Sequence, residues 1–294
     1  MSADICLIEQ LKVGNTLGEG VIWDERVQCL YWTDIEAKRL YRWGFSRGVD
    51  CFDCPERLCS FGLSQHVEQF ICAFESGFAF FNPASGEITW LSKVESDLSH
   101  TRLNDGRVDR QGRFWAGSYA EHKGQGLGGL YRLEENGQST KMIADVRIAN
   151  SLCWSPDGRT LYFSDTATQI IQRGDFDPGT GSIKNLQPWI KTADNAFPDG
   201  SCVDREGYLW NAQWGSSTVK RYSPDGKEVL RLDVPCKQPS CVSFGGPTLQ
   251  HLFVTSACKN LQPALAQQAE NGSLFIYQTP FYGIPESICS LKPS

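Results

Sequence analysis

The chain has 294 residues, 40% hydrophobic and 21% charged, with a net charge of −6. That composition supplies a sizeable globular core, and its acidity argues against a nucleic-acid partner, whose phosphates select basic surfaces. No run of about 18 apolar residues offers a membrane span, and the opening MSADICLIEQLKVGNTLGEG lacks a basic segment followed by an apolar one, so the expectation is a soluble, cytoplasmic protein with no membrane partner.

In chain order, the same sentence is written six times. GVIWDERVQCLYWTDIE begins at Gly20 and is followed by the strand candidate LYRWG. GLSQHVEQFICAFESG begins at Gly62 and is followed by FAFFN; GRVDRQGRFWAGSYA begins at Gly106 and is followed by LYRLE. SLCWSPDGRTLYFSDTA begins at Ser151 and leads to IIQRGDF; GSCVDREGYLWNAQWGS begins at Gly200 and leads to VKRYS. SCVSFGGPTLQHLFVTSA begins at Ser240 and leads to LFIYQ. The copies at Gly106, Ser151 and Gly200 read as a small residue, a short apolar run, Asp, a Gly turn and an aromatic-rich strand, which is hairpin chemistry; the copy at Gly20 follows them, and those at Gly62 and Ser240 are weaker. The period of roughly 45 residues, with three or four strands per copy, matches one blade of a propeller. The expected fold is therefore all-β, a six-bladed β-propeller, with residues 1–294 forming one domain. A sandwich or irregular barrel would not need so regular a spacing. Only residues 263–270 (PALAQQAE) suggest a short helix.

The residues just before the six anchors are Glu19, Phe61, Asp105, Asn150, Asp199 and Pro239. In a propeller such positions converge at one mouth of the central channel. Asp and Asn are depleted from strands, and gathered carboxylates repel unless a cation neutralises them. Glu19, Asn150 and Asp199 therefore form a candidate hard-cation site. Its oxygen donors suit one divalent metal ion: Ca²⁺, Mg²⁺ or Mn²⁺, with Zn²⁺ tolerated.

The segments LGEGVIWD, RLNDGRVDRQGRFWAG, SLCWSPDGRTLYFSD and FPDGSCVDREGYLW resemble the signature segments of the gluconolactonase/regucalcin (senescence marker protein) family over nearly the whole chain. The resemblance implies a six-bladed propeller with one divalent metal at the channel mouth and hydrolysis of sugar lactones. It implies Glu19, Asn150 and Asp199 as metal ligands and Asp199 as the catalytic base. It implies Arg102, Asn104 and Glu121 as the residues that meet the substrate; the i, i+2 spacing puts Arg102 and Asn104 on one side of an extended chain. The anchor register marks Asp105 where the resemblance points to Asn104, which leaves Asp105 behind the substrate-facing residues. Asn150-Ser151 stands where the family has Asn-Gly. If that position needs φ > 0, Ser151 costs about 1 kcal/mol.

The expected function is a divalent-metal-dependent hydrolase that opens pentono- or hexonolactones to aldonic acids, its partner a small-molecule sugar lactone. A related metal-dependent esterase or phosphotriesterase-like hydrolase and a non-enzymatic calcium-binding propeller are the alternatives. A monomer is expected because a propeller closes its own circuit of sheets.

Other motifs carry less. GQGLGG contains a formal GxGxxG through Gly124, Gly126 and Gly129, but a strand follows it where a dinucleotide site needs a helix. Cys51 and Cys54 form a lone CxxC without the second pair a structural zinc needs. The twelve cysteines are expected as free thiols. The four histidines show no catalytic spacing. The nine tryptophans read as blade core, with Trp214 alone a candidate to face the channel. The segment 118–129 is expected over the mouth, where it would set sugar preference.

Overall fold

The structure, a computed structural model, is described for residues 4–122 and 127–292. It is a six-bladed β-propeller: six four-stranded antiparallel sheets arranged in a ring. Blades 1 to 5 take residues 18–53, 58–93, 101–146, 149–191 and 197–233 in turn. Blade 6 takes three strands from residues 239–278, and its outermost strand is Cys6–Leu11, paired antiparallel to Leu274–Gln278. The two ends of the chain thus share one sheet and close the ring. Because every blade is made of hairpins, the channel is lined by the first strand of each. These are Gly18–Asp24, Leu58–Leu63, Thr101–Val108, Ala149–Trp154, Phe197–Val203 and Pro239–Gly245. All six sequence anchors fall inside them.

The recurring Asp-x-x-Gly-x-x-Trp words are explained by one device. Asp109 accepts hydrogen bonds from the backbone N–H groups of Gln111 (2.9 Å) and Arg113 (3.0 Å) and from the Trp115 indole (3.0 Å). Asp204 does the same for Glu206, Tyr208 and Trp210, at 3.0, 3.0 and 2.9 Å. Gly112 and Gly207 supply the left-handed turn, at φ +89° and +85°. One buried carboxylate therefore satisfies the turn donors and fixes the large side chain of the next strand. That side chain packs across the gap to its neighbour: Trp115 and Trp154, from blades 3 and 4, lie 5.8 Å apart around Phe176. Trp23, Trp32, Trp115, Trp154 and Trp210 are fully buried, as blade core.

In all six innermost strands the pairing to the second strand slips by one residue, at Glu19–Ile22, Leu58–Ser60, Leu103–Gly106, Asn150–Cys153, Pro198–Ser201 and Pro239–Val242. Such bulges break the alternation of side chains and re-aim them. All six slips begin opposite the last residues of the second strand, and that end of the channel carries the site.

The other end is crossed by the C-terminal segment. Cys289 N–H donates to Leu63 O (2.7 Å), and Ser290 N–H to Gly112 O (2.8 Å). Arg107, inside the channel, forms an ion pair with Glu286 of this segment. The expected helix at 263–270 is one turn only, Pro263–Ala266. All twelve cysteines are free, including Cys51 on the outermost strand of blade 1 and Cys54 just after it. Gly124 and Gly126 of the GxGxxG lie outside the described residues, as do residues 123–126 of the loop at 118–129. Among the described residues, no helix is long and apolar enough to cross a membrane.

Candidate active site

Glu19, Asn150 and Asp199 come together. Together with Arg102 and Asn104 they line a cavity of about 260 Å³ at the mouth of the channel. The Glu19 and Asp199 carboxyls lie close enough to act on each other's ionisation. Two repeated devices place Glu19 and Asn150. Asp34 accepts from Thr16 N–H (2.8 Å) and Leu17 N–H (3.0 Å), the residues leading into Glu19. Asp165 accepts from Arg147 N–H (3.0 Å) and Ile148 N–H (3.1 Å), the residues leading into Asn150. Both acids end a second strand, in YWTD and YFSD. That shared ending was the signal in the sequence that could have found them.

The residue after each of these two donors is left-handed: Gly20 and Ser151 both have φ +60°. The strain expected at Ser151 is therefore present. A compensating bond accompanies it. Ser151 Oγ donates to Asp199 O at 2.6 Å and accepts from Asn211 Nδ2 at 3.2 Å. A glycine there could not join the Asn150 strand to Asp199 in this way.

The six-fold frame read from the sequence is not quite the frame of the sheets. Glu19, Asn150 and Pro198 stand in equivalent places, opposite Thr33, Ser164 and Gln213, each at the edge of its bulge. Asp199 is one residue further, inside the bulge of blade 5. Leu103 holds the equivalent place in blade 3, so Asn104 and Asp105 both lie inside that bulge. Asn104 lines the cavity, while Asp105 Oδ2 accepts from Leu152 N–H at 2.9 Å. Phe61 contributes no donor; it is buried against Phe70. Pro239, the start of its strand, contributes none either.

The amide of Asn150 has a fixed orientation. Thr166 Oγ1 donates to Pro198 O (2.8 Å), so it receives Asn150 Nδ2 (2.8 Å) on a lone pair. Asn150 Oδ1 is thereby turned to the other side, where Asn104 Nδ2 donates to it at 3.2 Å. Asn104 Nδ2 also reaches Ala149 O at 2.9 Å.

Electrostatics make the cluster expensive as it stands. Burial, followed by repulsion from Asp105, raises Glu19 to about 8. Burial, Glu19 and Asp105 raise Asp199 well above the carboxylate range. Burial raises Asp105 to about 6. Without a cation Glu19 and Asp199 retain protons at neutral pH; a divalent cation would displace them and offset the repulsion. The donor set is oxygen only, two carboxylates and one oriented amide carbonyl, which fits a hard cation. Among the described residues no group of three His, Cys, Asp or Glu forms an alternative metal centre.

The cavity wall divides by chemistry. Its polar lining includes Arg102, Asn104, Thr166, Lys259 and Asn260, and its apolar lining Leu17, Ile148, Phe197 and Trp214. Trp214 thus does face the channel mouth. Lys259 belongs to no repeat word; Thr166 lies near the end of SLCWSPDGRTLYFSDTA and Phe197 opens FPDGSCVDREGYLW, yet sequence reasoning gave none of the three a place in the site. Glu121 does not line the cavity. Arg57 takes both of its oxygens, at 2.8 and 3.1 Å, and Arg102 Nε reaches Oε1 at 3.3 Å. These contacts hold its carboxyl below the usual range against the cost of burial.

Residues 17–258 match the protein family described as SMP-30/Gluconolactonase/LRE-like region. An L-arabinolactonase of Azospirillum brasilense is 41% identical over 277 residues, 92% of this chain and 91% of that protein. A 6-deoxy-6-sulfogluconolactonase of Pseudomonas putida is 34% identical over 96% of this chain and 97% of that one. Among solved structures, regucalcin from Agrobacterium tumefaciens, described as a calcium-binding protein, superposes with a TM-score of 0.91 at 31% identity, covering 97% of this chain and 98% of its own.

Proposed function

The chain belongs to the SMP-30/gluconolactonase/LRE-like family, and on that premise we propose that it hydrolyses pentono- or hexonolactones with one divalent cation held by Glu19, Asn150 and Asp199. It is a carboxylic-ester hydrolase of the lactonase type. The observation that carries the reading is the meeting of the half-buried Glu19 carboxylate, the buried Asp199 carboxylate and an oriented amide oxygen at a cavity that also presents Arg102 and Asn104. At about 260 Å³ the cavity falls below the roughly 300–1,000 Å³ of drug-sized sites, which suits a single sugar ring. Two of the named relatives are an L-arabinolactonase and a 6-deoxy-6-sulfogluconolactonase, which supports a sugar lactone as substrate, and twelve free thiols support a reducing, cytoplasmic setting.

When bound, the cation supplies Lewis-acid polarisation of the lactone carbonyl and stabilises the charge that develops on its oxygen. The protein does the rest. Asp199 takes the proton of the attacking water on a carboxylate oxygen. Arg102 and Asn104 hold the ring hydroxyls by directed hydrogen bonds, and the apolar side chains of Phe197 and Trp214, which also line the cavity, receive the C–H face of the sugar.

The experiment is acid release from a panel of aldono-1,4- and aldono-1,5-lactones, before and after chelation, with Ca²⁺, Zn²⁺, Mn²⁺ or Mg²⁺ added back. Turnover lost in chelator and restored by a cation is expected, as is a loss of roughly 10²–10⁴-fold in kcat for Asp199→Ala. Full turnover in chelator, or an unimpaired Asp199→Ala, would refute the proposal.

A further inference from the structure

We infer that Arg57, outside the cavity, is a positioning residue that sets affinity for the lactone by fixing Arg102 through Glu121. The inference rests on the lactonase reading. Arg57 immediately precedes the innermost strand of blade 2, Leu58–Leu63. One edge of its guanidinium is fixed within that blade: Nε donates to Glu75 Oε2 at 2.7 Å, and the Arg57 backbone N–H donates to Glu75 Oε1 at 3.3 Å. The other edge crosses to blade 3. Nη1 and Nη2 donate to the two oxygens of Glu121 at 2.8 and 3.1 Å, a forked geometry that lysine cannot reproduce.

Glu121 then passes the constraint on. Its Oε1 accepts from Arg102 Nε at 3.3 Å. Arg102 Nη1 is committed to Leu103 O (2.9 Å) and to Asn104 Oδ1 (2.7 Å), and its guanidinium carbon lies 4.9 Å from the centre of the Tyr119 ring. Nη2 is the one nitrogen of the Arg102 side chain without a hydrogen bond to the described residues, on a side chain that lines the cavity. Two N–H donors are thereby left for substrate, in an orientation set at the Nε end by Glu121 and at the Nη1 end by Asn104.

The contacts act in series. Arg57 does not line the cavity, yet it supplies the two short bonds of Glu121, and Arg102 only the long one. Without Arg57, Glu121 is held at 3.3 Å by the very group it should orient. Arg102 then keeps its Nη1 contacts and loses the fixed partner at Nε, so the cost falls on ground-state recognition of the sugar. The cation donors, Glu19, Asn150 and Asp199, share no hydrogen bond with Arg57. The same arrangement gives Glu121 a different job from direct substrate contact, since both its oxygens are engaged.

The test compares the unmodified protein with Arg57→Gln, Arg57→Lys, Glu121→Gln and the Arg57→Gln/Glu121→Gln double variant. It reads KM and kcat on the best lactone, Mn²⁺ affinity by calorimetry, and melting temperature. Arg57→Gln should raise KM about tenfold, the size of one lost charge-assisted hydrogen bond, with kcat within about twofold and Mn²⁺ affinity unchanged. Arg57→Lys should recover only part of the loss. The double variant should be no worse than the worse single one, because the residues lie on one line of contacts. An unchanged KM, a loss confined to kcat or to Mn²⁺ affinity, or losses that multiply in the double variant would overturn the inference. Should Arg57→Gln fail to fold, Arg57→Lys and Glu121→Gln carry the same test. Absence of lactone turnover by the unmodified protein would remove the function and this inference together; turnover with KM indifferent to Arg57 would remove this inference alone.

Discussion

Ser151 shows how one side chain can reconcile strain with function. It sits at φ +60°, where a Cβ costs about 1 kcal/mol relative to glycine. Against that cost, its hydroxyl donates to Asp199 O at 2.6 Å, a buried bond worth about 1 kcal/mol net. The two terms nearly cancel, so Ser151→Gly should change stability by less than about 0.5 kcal/mol. Ser151→Ala keeps the strain and loses the bond, and should cost about 1–2 kcal/mol. Urea unfolding of the two variants decides the point: alanine should be the less stable, and alanine matching or exceeding glycine would contradict this account. The strain was legible in the sequence, because Ser occupies the place that in the family belongs to Gly. The bond that offsets it was not, since Asp199 O is presented by a different blade.

At the scale of the element, the hairpin words were legible because each encodes a local turn. Asp204 joins four donors: two backbone N–H groups, the Trp210 indole and Arg221 Nε at 2.8 Å. Asp157, in the matching turn of blade 4, bonds only Ser155 Oγ and Arg159 N–H and is exposed. Asp204→Ala should therefore cost about 3 kcal/mol or more, by stranding buried donors and the Arg221 charge. Asp157→Ala should cost under about 1 kcal/mol. Equal denaturation midpoints would show that the buried carboxylate does not hold the blade. The bulges are where sequence reasoning reached its limit. A constant spacing from the Gly anchors put Asp105 and Asp199 in one frame with Glu19 and Asn150. The extra residue in each innermost strand instead puts Asp199 one place and Asp105 two places beyond that frame. Both readings place the donors at one mouth, because a bulge lets adjacent positions project to the same side. The resemblance already set Asn104 toward the substrate and Asp105 behind it; both lie inside one bulge, with Asn104 on the cavity and Asp105 turned to Leu152 N–H.

Over the whole molecule, number and order of blades followed from the repeat, while closure did not. Cys6–Leu11 carries no repeat word and is largely exposed, so nothing local marks it as the outer strand of blade 6. The C-terminal crossing is equally silent in the sequence: Glu286 meets Arg107 across 179 positions of chain. Together these long-range contacts fix the ring at both edges and leave the cavity at the end opposite the crossing. Ring closure is also what brings donors from blades 1, 4 and 5 to a single point. The most direct test of that convergence is anomalous diffraction from a crystal grown with Ca²⁺. One peak is expected, with Glu19, Asp199 and Asn150 Oδ1 each contributing oxygen at about 2.3–2.6 Å. A peak elsewhere, or none at saturating Ca²⁺ in protein that hydrolyses lactones in its presence, would contradict the account.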